Sequence, residues 1–188
     1  GIEDSINTFK GKKVSFVSDS IGTSSNNNAV ELTVIQHDID NSTLLTAYVT
    51  HWDVYTDSAG TITTGKNIGS YTFLDSDIGN QISVTPSSSD IGKTIGEPLN
   101  YNNLTFDEIW SGRLVNEFEM ELVQNVAWSG SKITSKGESS SIYKASGAWH
   151  PATVNKLKTR NSLGEYITPE VIIIYRGTND FSHTPYST

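Results

Sequence analysis

The chain has no cysteine and a single methionine in 188 residues. Disulfides and thiolate metal sites are therefore excluded, while the redox compartment stays open. No apolar run approaches the roughly 18 residues of a membrane span. The N-terminus lacks the charged-then-apolar order of a signal peptide, so export would mean that a leader or preceding domain had been removed. Basic residues are few, 13 Lys and Arg against 21 Asp and Glu, for a formal net charge of -8. The one basic cluster runs from Lys10 to Lys13. Nucleic acid and anionic membrane surfaces are thus poor partners, and neutral or polysaccharide-bound substrates fit better.

What is present suits a folded core: 35% of residues are hydrophobic and 18% charged. That balance fits one domain, or one domain with an insertion. Three stretches share one design. Val14 to Val17 is a β-branched and aromatic run that stops at Asp19-Ser20, with Gly22 and a Ser/Asn-rich segment after it. Asn125-Val126-Ala127-Trp128-Ser129-Gly130-Ser131 and Val171-Ile172-Ile173-Ile174-Tyr175-Arg176-Gly177-Thr178-Asn179-Asp180 are likewise apolar runs entering small or polar turns. Each reads as a buried strand delivering a polar group at its C-terminal end, the edge where open α/β sheets bind ligands. Arg176 is expected at a strand end, partly solvated and facing a carboxylate. A nucleotide-binding domain is disfavoured, because no glycine-rich phosphate loop follows the first run.

In these three blocks the chain resembles the SGNH (GDSL-type) hydrolases, a family of esterases, lipases and carbohydrate deacetylases. The Gly-Asp-Ser block appears as Ser18-Asp19-Ser20, the second-block glycine as Gly130, and Gly-x-Asn-Asp as Gly177-Thr178-Asn179-Asp180. Ser18 in place of glycine is a departure. The resemblance implies a flavodoxin-like α/β three-layer sandwich with parallel strands in the order 2-1-3. It implies Ser20 as nucleophile, and the Ser20 N–H, the Gly130 N–H and the Asn179 side-chain amide as oxyanion donors. Asp19 and Asp180 are expected to hold their turns through backbone N–H groups. The reaction it implies passes through an acyl-enzyme on Ser20 without metal or organic cofactor, on acetyl or other acyl esters of carbohydrate.

Two features depart from a complete domain of that kind. Residues 29–100 read as strands and turns, with alternating patterns at Val30–Ile35 and Leu45–Tyr55 and further runs at Thr61–Thr64, Ile68–Leu74 and Gln81–Thr85. This is an antiparallel β-module inserted into an α/β domain made of 1–28 and 101–188. Within it Ser76-Asp77-Ile78-Gly79 recurs as Ser89-Asp90-Ile91-Gly92, two similar turns with an aspartate cap and an apolar anchor. Its aromatics Tyr48, Trp52, Tyr55 and Tyr71 either fill a core or stack on sugars. After the module, Thr105 and Glu108 have capping-box spacing before a helix over 106–118. Residues 131–147 read as a surface loop, and a second helix spans Ala152–Arg160.

The second departure is the base, because no Asp-x-x-His follows Asp180. The in-chain candidates are His183 and His150, which flank the site blocks; His37 and His51 lie in the inserted module. The expectation is that a second polypeptide or further C-terminal segment completes the sheet and supplies the base. The alternative is a non-catalytic glycan-binding or adhesion module of a surface or phage-tail protein. Ser/Thr/Asn richness suits an extracellular, cell-surface or virion-associated protein.

Overall fold

The structure, a computed structural model, describes residues 7–24, 27–28, 33–49, 55–56, 62–63, 67–68, 71–72, 74–77, 80–93, 98–99, 104–127, 131–133 and 150–183. In chain order the elements are β1 (Lys13–Ser18), a 3-10 turn at Ser20–Gly22, β2 (Asn27–Asn28), α1 (Gln36–Asp40) and β3 (Leu45–Tyr48). Four two-residue strands follow: β4 (Tyr55–Thr56), β5 (Ile62–Thr63), β6 (Asn67–Ile68) and β7 (Tyr71–Thr72). The chain continues through β8 (Gln81–Val84), β9 (Pro98–Leu99), α2 (Trp110–Glu117) and β10 (Glu121–Ala127). It then forms α3 (Pro151–Asn155), β11 (Thr159–Arg160), β12 (Tyr166–Ile167), β13 (Val171–Tyr175) and α4 (Thr178–His183).

Strand β1 is the axis of the α/β part. Every residue from Val14 to Ser18 is buried, and a strand buried on both faces needs cover on both. On one face Val14 and Phe16 form a core with Val115 and Met120, and Phe106, Trp110, Val171 and Ile173 pack around it. Trp110 meets Phe16 edge-on, with ring centroids 5.5 Å apart. On the other face the buried Ser15 hydroxyl donates to the Leu157 carbonyl at 2.7 Å. Hydrogen-bonding a buried hydroxyl removes most of the cost of desolvating it, and here the bond also ties the segment after α3 to the sheet.

The sheet runs β10-β1-β13, all parallel, which is the expected 2-1-3 order. Ser18 lies opposite both Ala127 and Tyr175, so the three strands end level. The remaining described sheets are two-stranded and antiparallel, giving a mixed α/β chain. Between β1 and α2 the chain leaves at β2 and returns at β9, and these two strands pair, Asn27 with Leu99 and Asn28 with Pro98. Residues 29–97, most of the stretch expected to be an insertion, run between these two paired strands.

Several local expectations change. Val30–Ile35 falls largely outside the described residues; Thr33 makes an isolated bridge and Ile35 begins the turn into α1, which was not anticipated. The long Leu45–Tyr55 strand is described only as β3 and β4, with 50–54 outside the described residues. The helix expected over 106–118 breaks at Ile109, whose extended φ of -88° and ψ of 164° separates a 3-10 turn from α2. The capping box itself is present, with the Glu108 carboxylate accepting from the Thr105 N–H at 2.7 Å and its hydroxyl at 3.0 Å. The helix expected over Ala152–Arg160 stops at Asn155. Asn161 Oδ1 accepts from the Leu163 and Glu165 N–H groups, and Gly164 takes φ +81°. This turn folds β11 back on β12 and leaves Thr159 and Arg160 in a hairpin. The residues before β1 are not merely a lead-in: Phe9 packs against the core and meets Phe118 edge-on.

The repeated turn is real, but in the second copy the expected apolar anchor is exposed. Asp77 and Asp90 each accept an N–H three residues back, from Leu74 and Ser87, both at 2.9 Å. Ile91, however, is 41% exposed, and Ile78 lies outside the described residues. A third copy was missed: Asp38 accepts the Ile35 N–H at 2.9 Å, and Ile39 follows it as Ile78 and Ile91 follow theirs. Asp38 also joins the module to the hairpin. Arg160 binds it in a two-pronged pair at 2.7 and 3.0 Å and donates to the Thr33 carbonyl at 2.7 Å. The His37 ring lies against Gly164, where an added Cβ would come within 2.6 Å of it.

Burial pulls the Asp38 carboxyl up, but the Arg160 hydrogen bond, the Ile35 N–H and the Arg160 charge together hold it below its ordinary 3.8. Stability from a depressed carboxylate is fully present above the unfolded value and is lost as pH falls through the folded one. Arg160→Met is expected to lower unfolding free energy at pH 7 by about 3–5 kcal/mol, because it strands a buried carboxylate. The loss, read from urea midpoints, is expected to shrink as the pH is taken below 3.8. A deficit that stays constant down to that range would contradict this role.

Candidate functional site

The level strand ends of β1, β10 and β13 bring three turns together. After β1, Asp19 is almost fully buried and caps the 3-10 turn, its Oδ1 accepting the Ile21 N–H at 3.0 Å. Its Oδ2 is buried and accepts no hydrogen bond from the described residues. Ser20 is exposed at the start of the turn. Its carbonyl accepts the Thr23 N–H at 3.3 Å and the Thr23 hydroxyl at 2.8 Å. Among the described residues, nothing engages the Ser20 N–H or its hydroxyl. A hydroxyl and an N–H left open at a strand's C-terminal end are what a nucleophile that also donates to its own oxyanion requires.

The turn is held from the neighbouring strand. Asn125 of β10 donates its side-chain amide to the Gly22 carbonyl at 2.8 Å. A side chain at 22 is crowded by Ser18, since a Cβ there would lie 1.8 Å from Ser18 Oγ and 2.8 Å from Ser18 Cβ. The Ser18 side chain therefore fills the space beside Gly22.

Gly130, with Trp128 and Ser129, lies outside the described residues; the chain resumes at Ser131, which is fully buried. Ser131 donates its hydroxyl to the Ser18 carbonyl at 3.2 Å, and its own carbonyl accepts the Asn179 side-chain amide at 3.0 Å. The amide plane of Asn179 is thereby fixed, with one of its two N–H groups committed to the β10 turn. Asp180 Oδ2 accepts the Ile133 N–H at 2.6 Å, so the third turn grips the second at two points.

Arg176 directly follows β13. Its Nε donates to the Ser18 carbonyl at 3.1 Å, and its charge faces Asp19 and Asp180. Burial pushes the guanidinium down to about 10 against the upward pull of Asp19 and Asp180, so it stays charged at neutral pH. Sequence reading placed Arg176 near a carboxylate but gave Ser131 no role; a small residue directly after Gly130 was the only signal.

The histidines fall in different places. His150 stands half-buried just before α3, and burial holds its imidazole below the usual 6.5. His183 closes α4, which begins at Thr178, but its side chain lies outside the described residues. His37 contacts Gly164 and Asn41, in the module rather than at the three turns; His51 lies outside the described residues. Among the described residues no group of three or more His, Cys, Asp or Glu side chains is placed to hold a metal ion, and no helix is long and apolar enough to cross a membrane.

The Gly22–Ser18 contact gives a direct test. Gly22→Ala is expected to destabilise by about 1–3 kcal/mol through overpacking. Adding Ser18→Gly should recover part of that loss despite the cost of a strand glycine, giving a favourable coupling in a double-mutant cycle on urea midpoints. Additive losses would show that the two residues do not share this space.

Comparison of the chain with protein-family profiles, characterised proteins and solved structures returned no match.

Proposed function

We propose that the chain is a serine ester hydrolase of the SGNH type, acting on acyl esters of carbohydrate through an acyl-enzyme on Ser20. The observation that carries this reading is the convergence of an open Ser20 with the Asn179 turn at one sheet edge, linked through Ser131. Ser20 Oγ attacks the ester carbonyl carbon and passes its proton to a base. The tetrahedral oxyanion is met by the Ser20 N–H, with Gly130 and Asn179 assigned as the other donors. The alcohol leaves with a proton from the conjugate acid of that base, and water then repeats the sequence to release the carboxylic acid and restore Ser20.

The base is a histidine. Within the described residues His150, whose imidazole burial shifts toward its neutral form, is the in-chain candidate. The alternative source is a further segment added at β13. Among the described residues β13 pairs only with β1, and Ile172 and Ile174 stand 49% and 59% exposed on it. An unpaired apolar edge of that kind invites another strand.

Hydrolysis of p-nitrophenyl acetate tests the reading. Ser20→Ala is expected to abolish turnover, and Asn179→Ala to lower kcat by about 100- to 1,000-fold, the usual effect of losing one oxyanion donor. Turnover that survives Ser20→Ala unchanged would rule out the mechanism. His150→Ala abolishing activity would place the base in α3's approach; retained activity would move it to His183 or the added segment.

A further inference from the structure

A cleft of about 180 Å³ opens where the inserted module meets the α3 segment and the β11–β12 hairpin. Thr46, Tyr48 and Gln81 line it from the paired strands β3 and β8, and Asn155, Lys158 and Tyr166 line it from the other side. It is smaller than the ~300 Å³ at which drug-sized pockets begin, which suits a single ring.

Its chemistry is distinctive. Among the described residues the amides of Gln81 and Asn155, the phenols of Tyr48 and Tyr166, and the Lys158 ammonium make no hydrogen bond or ion pair. Lys158 Nζ instead rests 4.0 Å from the centre of the Tyr166 ring, an attraction that holds the cation in place without neutralising it. Amides and phenols both donate and accept, as the hydroxyls of a sugar do; an ammonium only donates and calls for an anion. In a chain of net charge -8 the general field repels anions, so selectivity for one has to come from Lys158 itself. The walls are also fixed in advance, since the Arg160–Asp38 pair locks the hairpin to the module, and preorganisation lowers the cost of binding.

We propose that this cleft between the β-module and the β11–β12 hairpin binds an acidic sugar residue of a polysaccharide, its carboxylate on Lys158 and its hydroxyls on Gln81, Asn155 and the two tyrosines. Its lining shares no residue with the three strand-end turns, and its occupancy does not depend on Ser20 being a nucleophile. It would anchor a uronate-containing chain to the module.

The test is titration of the whole protein, followed by NMR amide shifts, with short oligomers of glucuronate, galacturonate and mannuronate, and of neutral glucose and galactose as controls. At least one uronate oligomer is expected to saturate shifts at Thr46, Tyr48 and Gln81. Lys158→Met is expected to weaken it about tenfold or more, as loss of a hydrogen bond to a charged group does. Asn155→Ala should weaken it less, and Ser20→Ala should leave it unchanged. The proposal is overturned if no uronate oligomer saturates these shifts, if neutral oligomers bind as tightly, or if Lys158→Met binds like wild type. Loss of esterase activity in Ser20→Ala with unchanged uronate binding would separate this site from the hydrolytic one.

Discussion

The Ser18 carbonyl is the acceptor on which the arrangement depends. It lies at the end of the central strand and receives the Ser131 hydroxyl from the β10 side and Arg176 Nε from the β13 side. A carbonyl has two lone-pair directions, and each neighbouring strand end supplies a donor. Because Ser18 is followed directly by Asp19 and Ser20, anything that fixes its peptide also fixes the turn that exposes Ser20. The Arg176 bond is charge-assisted and partly buried, where such bonds are strongest.

From that point the constraints spread outward. Arg176 carries positive charge that acts on both Asp19 and Asp180, so neither carboxylate is buried without a countercharge. Asp180 and Asn179 then bind the backbone on either side of Lys132, at Ile133 and Ser131. Burial of β1 on both faces supplies the rigidity beneath: Phe16 is locked against Trp110 on one face and Ser15 against Leu157 on the other. A site built on strand ends with this support holds its geometry better than one carried on loops alone.

Much of this was legible from residue order, and the failures have identifiable causes. The runs at Val14, Asn125 and Val171 end in small or polar turn residues, so their strands could be read from the residues themselves, whereas the 2-1-3 order came only as an implication of the SGNH resemblance. Alternating strand patterns after the Ser20 turn made residues 29–100 read as strands, and the described part of that stretch holds short antiparallel pairs, although the Asn27–Leu99 pairing was not legible. Helix α1 escaped because five residues are too few for a helical period to show. The third Asp-Ile turn escaped because His37 and Asp40 stand where the other copies have Ser and Gly. The early stop at Asn155 came from the Asn161–Gly164 turn, a local contest that periodicity does not resolve. The link between Ser131 and Asn179 joins residues 48 positions apart, which no single-chain pattern reveals. The proposed base was not legible for the same reason, since whether a histidine lies near Ser20 is decided by tertiary placement.

The most direct test of the central claim is the site of covalent labelling by a fluorophosphonate, read by peptide mass spectrometry on the intact chain and on Arg176→Met. The account predicts a stoichiometric adduct at Ser20, ahead of the chain's many other serines, and a much slower reaction in folded Arg176→Met because the Ser18 peptide is no longer held from the β13 side. Labelling scattered over surface serines, or a Ser20 no more reactive than its neighbours, would contradict it.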